Sequence, residues 1–123
     1  MPNQNIKRLF GKWRWLESSG GIGGVTINPV TESYSLTIEF TEKGIFKSFK
    51  NGKETDKCKF ELSEGPSIMG IQTDAIINYI DRSGFLGLHH DSWKQSAGFN
   101  GNDTLILYDE MYDGFIHSYI RQN

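Results

Sequence analysis

The sequence predicts an all-β chain: an eight-stranded antiparallel up-and-down β-barrel with a short N-terminal helical turn. Three observations predict it. Phe, Tyr and Trp make up 13% of the residues and glycine occurs 14 times. Turn signals recur every 8 to 15 residues, the pattern of sandwiches and barrels. Apolar and polar residues alternate with period two, the signature of half-buried strands. With 123 residues, one domain spanning 1–123 is the natural count and one sizeable core can be buried.

The elements follow in order. Residues 2–10, "PNQNIKRLF", read as a helical turn. Lys12–Ser18 reads as the first strand, with Trp13, Trp15 and Glu17 on one face. The stretch from 18 to 30 reads as a long connection without regular structure, and such connections are often lids. Gly20, Gly21, Ile22, Gly23 and Gly24 form its tip. "SYSLTIEFT" is the clearest strand, with Tyr34, Leu36, Ile38 and Phe40 inward. A turn at "EKG" leads to "IFKSFK", whose facing is ambiguous between Ile45/Phe49 and Phe46/Ser48. Asn51-Gly52 is a strong hairpin signal, because both positions must accept positive φ. It is answered by "KETDKCKFEL", with Asp56, Cys58, Phe60 and Leu62 on one face. "GIQTDAIINYIDRSG" reads as one or two strands, "LGLHHDSWKQ" as another, and "AGFNGND" as a loop. "TLILYD" and "GFIHSYIRQ" make a final hairpin through "EMYDG". Closure of such strands into a barrel removes exposed edges; a sandwich of two sheets is the alternative.

Composition excludes several classes. Thirteen basic residues against fifteen acidic ones give no basic surplus for nucleic acid. No apolar run approaches the roughly 20 residues of a membrane-spanning helix. Cys58 is the single cysteine, so it cannot form an internal disulfide and reads as a small buried hydrophobe. Lys7 and Arg8 are followed by no apolar region, so no signal peptide is read. The chain is expected to be soluble, and extracytoplasmic if it is a processed form.

The glycine cluster does not fit a phosphate cradle. Val25 and Thr26 follow Gly24 where a P-loop requires Lys and Ser/Thr, and the G-x-G-x-x-G spacing is broken. His89 and His90 are adjacent, so a strand points them to opposite faces, and no metal is assigned. No serine lies in G-x-S-x-G, and Asp109, Glu110 and Asp113 read as solvated turn acids. No catalytic residue and no cofactor is assigned.

"GKW" at 11–13, opening the first strand, and "YIR" at 119–121, ending the last, resemble the lipocalins. The longer strings "GKWRWLESSGGIGGVTINP" and "TIEFTEKGIFKSFKNGK" resemble small bacterial lipocalin-like domains, of the calycin type. The resemblance covers the first half specifically and the last hairpin loosely. It implies that Gly11, Trp13 and Arg121 close one barrel end, the guanidinium lying across the indole. A guanidinium on an indole face gains about 0.5–2 kcal/mol.

On the last strand Phe115, His117, Tyr119 and Arg121 share a face. If that face is inward, His117 and Tyr119 are polar groups in an apolar interior and need partners. Those partners are either Tyr34 and its neighbours or a ligand head group. The expected function is therefore non-enzymatic binding of a small hydrophobic molecule. Trp15, Tyr34, Leu36, Phe40, His117 and Tyr119 would line its site. Two other classes stay open: a packed barrel that engages a protein partner, and an enzyme built in the barrel mouth. A filled interior would favour the first of these, and clustered polar groups in a cleft the second.

Overall fold

The computed structural model describes residues 4–21, 23–64, 74–80, 82–83, 89–90, 93–110 and 114–122. A 3-10 helix, Gln4–Leu9, precedes β1 (Gly11–Gly20). β2 (Val25–Ile27) folds back on the end of β1, and a single helical turn, α1 (Pro29–Glu32), leads to β3 (Leu36–Phe40). β4 (Ile45–Lys50), β5 (Lys53–Ser63) and β6 (Ala75–Ile80) follow. β7 (Arg82–Ser83) and β8 (His89–His90) form a two-stranded ribbon of their own. β9 (Trp93–Asn100), β10 (Thr104–Asp109) and β11 (Phe115–Gln122) complete the chain.

Eight of these strands pair antiparallel in the order β1-β3-β4-β5-β6-β9-β10-β11, and β11 pairs again with β1. The result is a closed up-and-down barrel, the expected fold; the sandwich alternative is excluded. Alternation supplies its inner wall. Leu105, Leu107 and Asp109 are buried on β10, as are Ala75, Ile77 and Tyr79 on β6. The inner residues of β3, β4 and β5 are aromatic-rich. Phe40 packs 5.2 Å from both Phe46 and Phe60, ring centre to ring centre, and Tyr79 packs 5.0 Å from Phe46. The expected hairpin turn is present, with Asn51 at φ 51° and Gly52 at φ 83°.

The facing of β4 is settled. Phe46 is buried opposite Cys58, and Ser48 lies opposite Asp56 on the same inner face. Thr55 is an extra residue on β5, so the register shifts before Phe49 pairs with Glu54.

Four expectations are corrected. The segment after Ser18 is a hairpin, not an irregular connection: β1 runs on to Gly20, and Val25–Ile27 pairs with Ser18–Gly20. Glycines at positive φ turn the chain, and the Gly24 amide donates to the Gly21 carbonyl at 3.2 Å. Of the glycine cluster, Ile22 lies outside the described residues. Glu17 does not share the face of Trp13 and Trp15. Leu16 is an extra residue between the pairs Trp15–Tyr119 and Glu17–Ser118, and this bulge turns Glu17 to solvent and Ser18 inward. Tyr34 precedes β3 rather than opening it. Finally, residues 97–100, read as loop, belong to β9, which is laddered to both β6 and β10. Gly98 and Asn100 are held by the ladder to β10, opposite Ile106 and Thr104, which overrides their weak strand propensity.

At one barrel end Trp13 and Arg121 meet. The Arg121 guanidinium lies 4.1 Å from the Trp13 ring centre. Its Nη1 donates to the Phe10 carbonyl at 3.1 Å and its Nη2 to the Arg8 carbonyl. Trp13 Nε1 donates to the Leu9 carbonyl at 2.9 Å. Arginine and indole thus bind the orphan carbonyls at the C-terminal end of the 3-10 helix, and buried Leu9 fills the opening. Gly11 has φ +124°, and a Cβ there would lie 3.0 Å from Arg121 Nη1. The glycine of the motif therefore makes room for the arginine.

Candidate functional site

The opposite end of β1 and β11 carries a different chemistry. The bulge at Leu16 places Ser18 directly across the ladder from His117. His117 lies opposite Leu107, one inward position from Asp109 on β10, and Asp109 lies opposite Gln95 on β9. Gln95 in turn neighbours Tyr79 on β6. Five adjacent strands each present one polar group inward.

These groups form one continuous hydrogen-bonded belt. Trp15 Nε1 donates to Ser18 Oγ at 2.7 Å. Ser18 Oγ and His117 Nδ1 are 2.6 Å apart, and His117 Nε2 and Asp109 Oδ1 are 3.0 Å apart. Gln95 Nε2 donates to the same carboxylate oxygen at 2.9 Å, and the Phe115 amide donates to Oδ2 at 3.1 Å. The Tyr79 hydroxyl donates to Gln95 Oε1 at 2.8 Å.

An indole N–H only donates, so Ser18 Oγ accepts from Trp15. His117 bridges the serine and the carboxylate, with Nδ1 toward Ser18 and Nε2 toward Asp109. Burial pushes the Asp109 carboxyl up, but the hydrogen bond and charge of His117, with the bonds from Gln95 and the Phe115 amide, outweigh it. They hold Asp109 below the usual carboxylate range, so it is ionised at neutral pH.

Serine, histidine and aspartate hydrogen-bonded in series are the parts of an activated nucleophile. Here the serine is 3% exposed and its oxygen already holds the indole N–H. The series holds the His117 ring between two partners. The belt reaches solvent at His117, whose side chain is 21% exposed against 9% for Asp109.

Two ring pairs flank the belt. Trp15 stacks with Tyr34 at 6.0 Å and 19°, and Phe115 stacks with His117 at 6.1 Å and 18°. The Lys50 ammonium lies 4.4 Å from the Tyr34 ring centre. Trp15, Tyr34, His117 and Tyr119 lie at this end, Tyr119 opposite Trp15 on the ladder. Leu36 is half-buried against the same core. Phe40 instead lies deep in the aromatic cluster with Phe46, Phe60 and Tyr79. Gly20 and Gly21 pack on the belt end: a Cβ at Gly20 would meet the Gly114 carbonyl at 2.6 Å, and one at Gly21 the Phe115 ring at 3.3 Å. The side chains of His89 and His90 lie outside the described residues.

Sequence reasoning missed Ser18, Asp109, Gln95 and Tyr79. A signal existed for Asp109, which continues the inward alternation of Leu105 and Leu107. Ser18 carried none, because its facing depends on the bulge.

No family model and no curated protein matches the chain. One solved structure is similar over nearly its whole length: a de novo designed fluorescence-activating β-barrel. It is 13% identical with a TM-score of 0.52, covering 98% of this chain and 99% of that one. At that identity the likeness shows the fold alone. No helix among the described residues is long and apolar enough to cross a membrane.

Proposed function

We propose that this barrel binds a small molecule with an apolar body and a polar head, without transforming it, at the end that carries the belt. The observation behind this reading is the split of the inner wall. Ser18, His117, Asp109, Gln95 and Tyr79 make one side polar. Ile38, Phe40, Phe46, Cys58 and Phe60 make the greater part of the facing strands apolar, with Ser48 and Asp56 beyond them on β4 and β5. Binding sites combine an apolar lining with a few placed polar groups in this way. Trp13 and the Phe40 cluster fill the middle and the far end, so the ligand's place is the shallow end bounded by Tyr34, Leu36, Phe115 and His117. Burial of its apolar surface supplies about 25 cal/mol per Å². The closure by Gly11, Trp13 and Arg121 supports a lipocalin-like relationship, of the small bacterial type, within this proposal.

The same packing favours a second reading, a filled barrel that engages a protein. Native mass spectrometry of the protein purified from cells, followed by solvent extraction, separates the two. A retained small-molecule adduct, lost on Trp15→Ala, is the expected result. A bare mass that stays bare after challenge with aromatic and aliphatic amphiphiles overturns the binding reading and leaves the packed module.

A further inference from the structure

We propose that the head group taken by the belt is a hydrogen-bond donor, a protonated amine before a hydroxyl, on a flat aromatic body, and that carboxylate-headed amphiphiles are rejected. This inference rests on the ligand-binding reading above and narrows it to a chemical class.

The first argument is the balance of donors and acceptors. The indole N–H of Trp15 and the backbone amide of Phe115 are spent inside the belt. Acceptor capacity is left over. An ionised carboxylate offers about four acceptor positions, and Asp109 receives three hydrogen bonds, from His117, Gln95 and Phe115. A ligand that donates finds the Asp109 carboxylate already aimed; one that only accepts finds the indole N–H of Trp15 and the Phe115 amide engaged.

The second argument is sign. The Asp109 carboxylate is held ionised by the groups that bond it. That charge sits among buried groups, where screening by salt is weak. A cation entering beside it is stabilised and an anion is opposed. The third argument is shape. The two stacked ring pairs, Trp15–Tyr34 and Phe115–His117, bound the same end. Their faces suit a flat ring and attract cations, as the Lys50 ammonium on Tyr34 already does. Lys50 would favour an anion instead. It is exposed at the rim, beyond Tyr34, where solvent screens it.

Isothermal titration of the intact wild-type chain with four probes on one ring tests the inference: naphthalene, naphthol, naphthylmethylamine and naphthoate, substituted at the same carbon. The expected order is amine, then naphthol, then naphthalene, with naphthoate weakest and at least about tenfold below the amine. Asp109→Asn, which keeps the shape and removes the charge, is expected to bring the amine down to the level of naphthol. Naphthoate binding best, and losing its advantage on Lys50→Ala, would assign the head group to the rim cation and overturn the inference while leaving the binding reading intact. Four equal affinities would do the same, since the ring alone would then bind. An amine preference that survives in folded Asp109→Asn would also overturn it. Binding of none of the four would sink both. The wild-type ranking decides the matter even if the variant does not fold.

Discussion

Asp109 holds the belt together, because three of its hydrogen bonds end on one carboxylate. Removing its charge weakens all three at once. Asp109→Asn is expected to lose about 1–3 kcal/mol of stability at neutral pH, read by urea unfolding. Its pH dependence has a definite sign. Asp109 titrates below its ordinary value in the folded protein, so folding favours its ionised form. Its contribution is complete above the unfolded value of about 3.9 and is lost as pH falls through the lowered folded value. The gap between wild type and variant should therefore be full at neutral pH and close in acid. A gap that stays constant down to the acid limb would show that the charge contributes nothing. A second residue-scale expectation concerns Gly11. Alanine there must adopt φ +124° with a Cβ 3.0 Å from Arg121 Nη1. Gly11→Ala should cost about 1–3 kcal/mol, and thermal unfolding checks it.

At the scale of elements, the β1–β2 hairpin distinguishes glycines by their surroundings. Gly20 and Gly24 both have positive φ, but only Gly20 has backbone 2.6 Å from its missing Cβ; Gly24 has open space. Gly24→Ala should cost about 1–2 kcal/mol, the left-handed penalty alone. Gly20→Ala should cost about 3 kcal/mol or more, because Gly114 and Phe115 must also move. Equal losses in paired unfolding curves would mean that the close approach to Gly114 is relieved at no cost. The hairpin also shows where legibility stopped. The strands from Leu36 to Ser63 were readable because alternation and Asn51-Gly52 agree. The bulge at Leu16 was not, because one inserted residue leaves no compositional mark yet reverses the facing of everything after it. That reversal hid Ser18. Asp109 was hidden differently: a short acid beside a turn has the same local signature whether it is solvated or inward.

At the scale of the molecule, the seam between β1 and β11 is the closure on which the fold depends. It joins the first barrel strand to the last, so its loop is the longest in the chain and its ordering entropy the largest. Local sequence cannot specify such a pairing; only the Gly11, Trp13 and Arg121 pattern hinted at it. Arg121 bonds the Phe10 and Arg8 carbonyls and lies on Trp13, tying the last strand to the segment before the first. If that tie holds the seam, seam amides open only with the whole barrel. Native-state hydrogen exchange should then give Trp13–Trp15 and Tyr119–Arg121 amides the same protection as those of β4. The three residues of β2, ladder-paired only to β1, should exchange first. Arg121→Ala removes charged hydrogen bonds that contribute about 1.5–3 kcal/mol. Opening of the seam should rise by about ten- to a hundredfold, while β4 and β5 keep a slower, separate rate. Uniform loss across all strands would instead mean that the barrel opens as one unit and that Arg121 stabilises the whole fold rather than its seam.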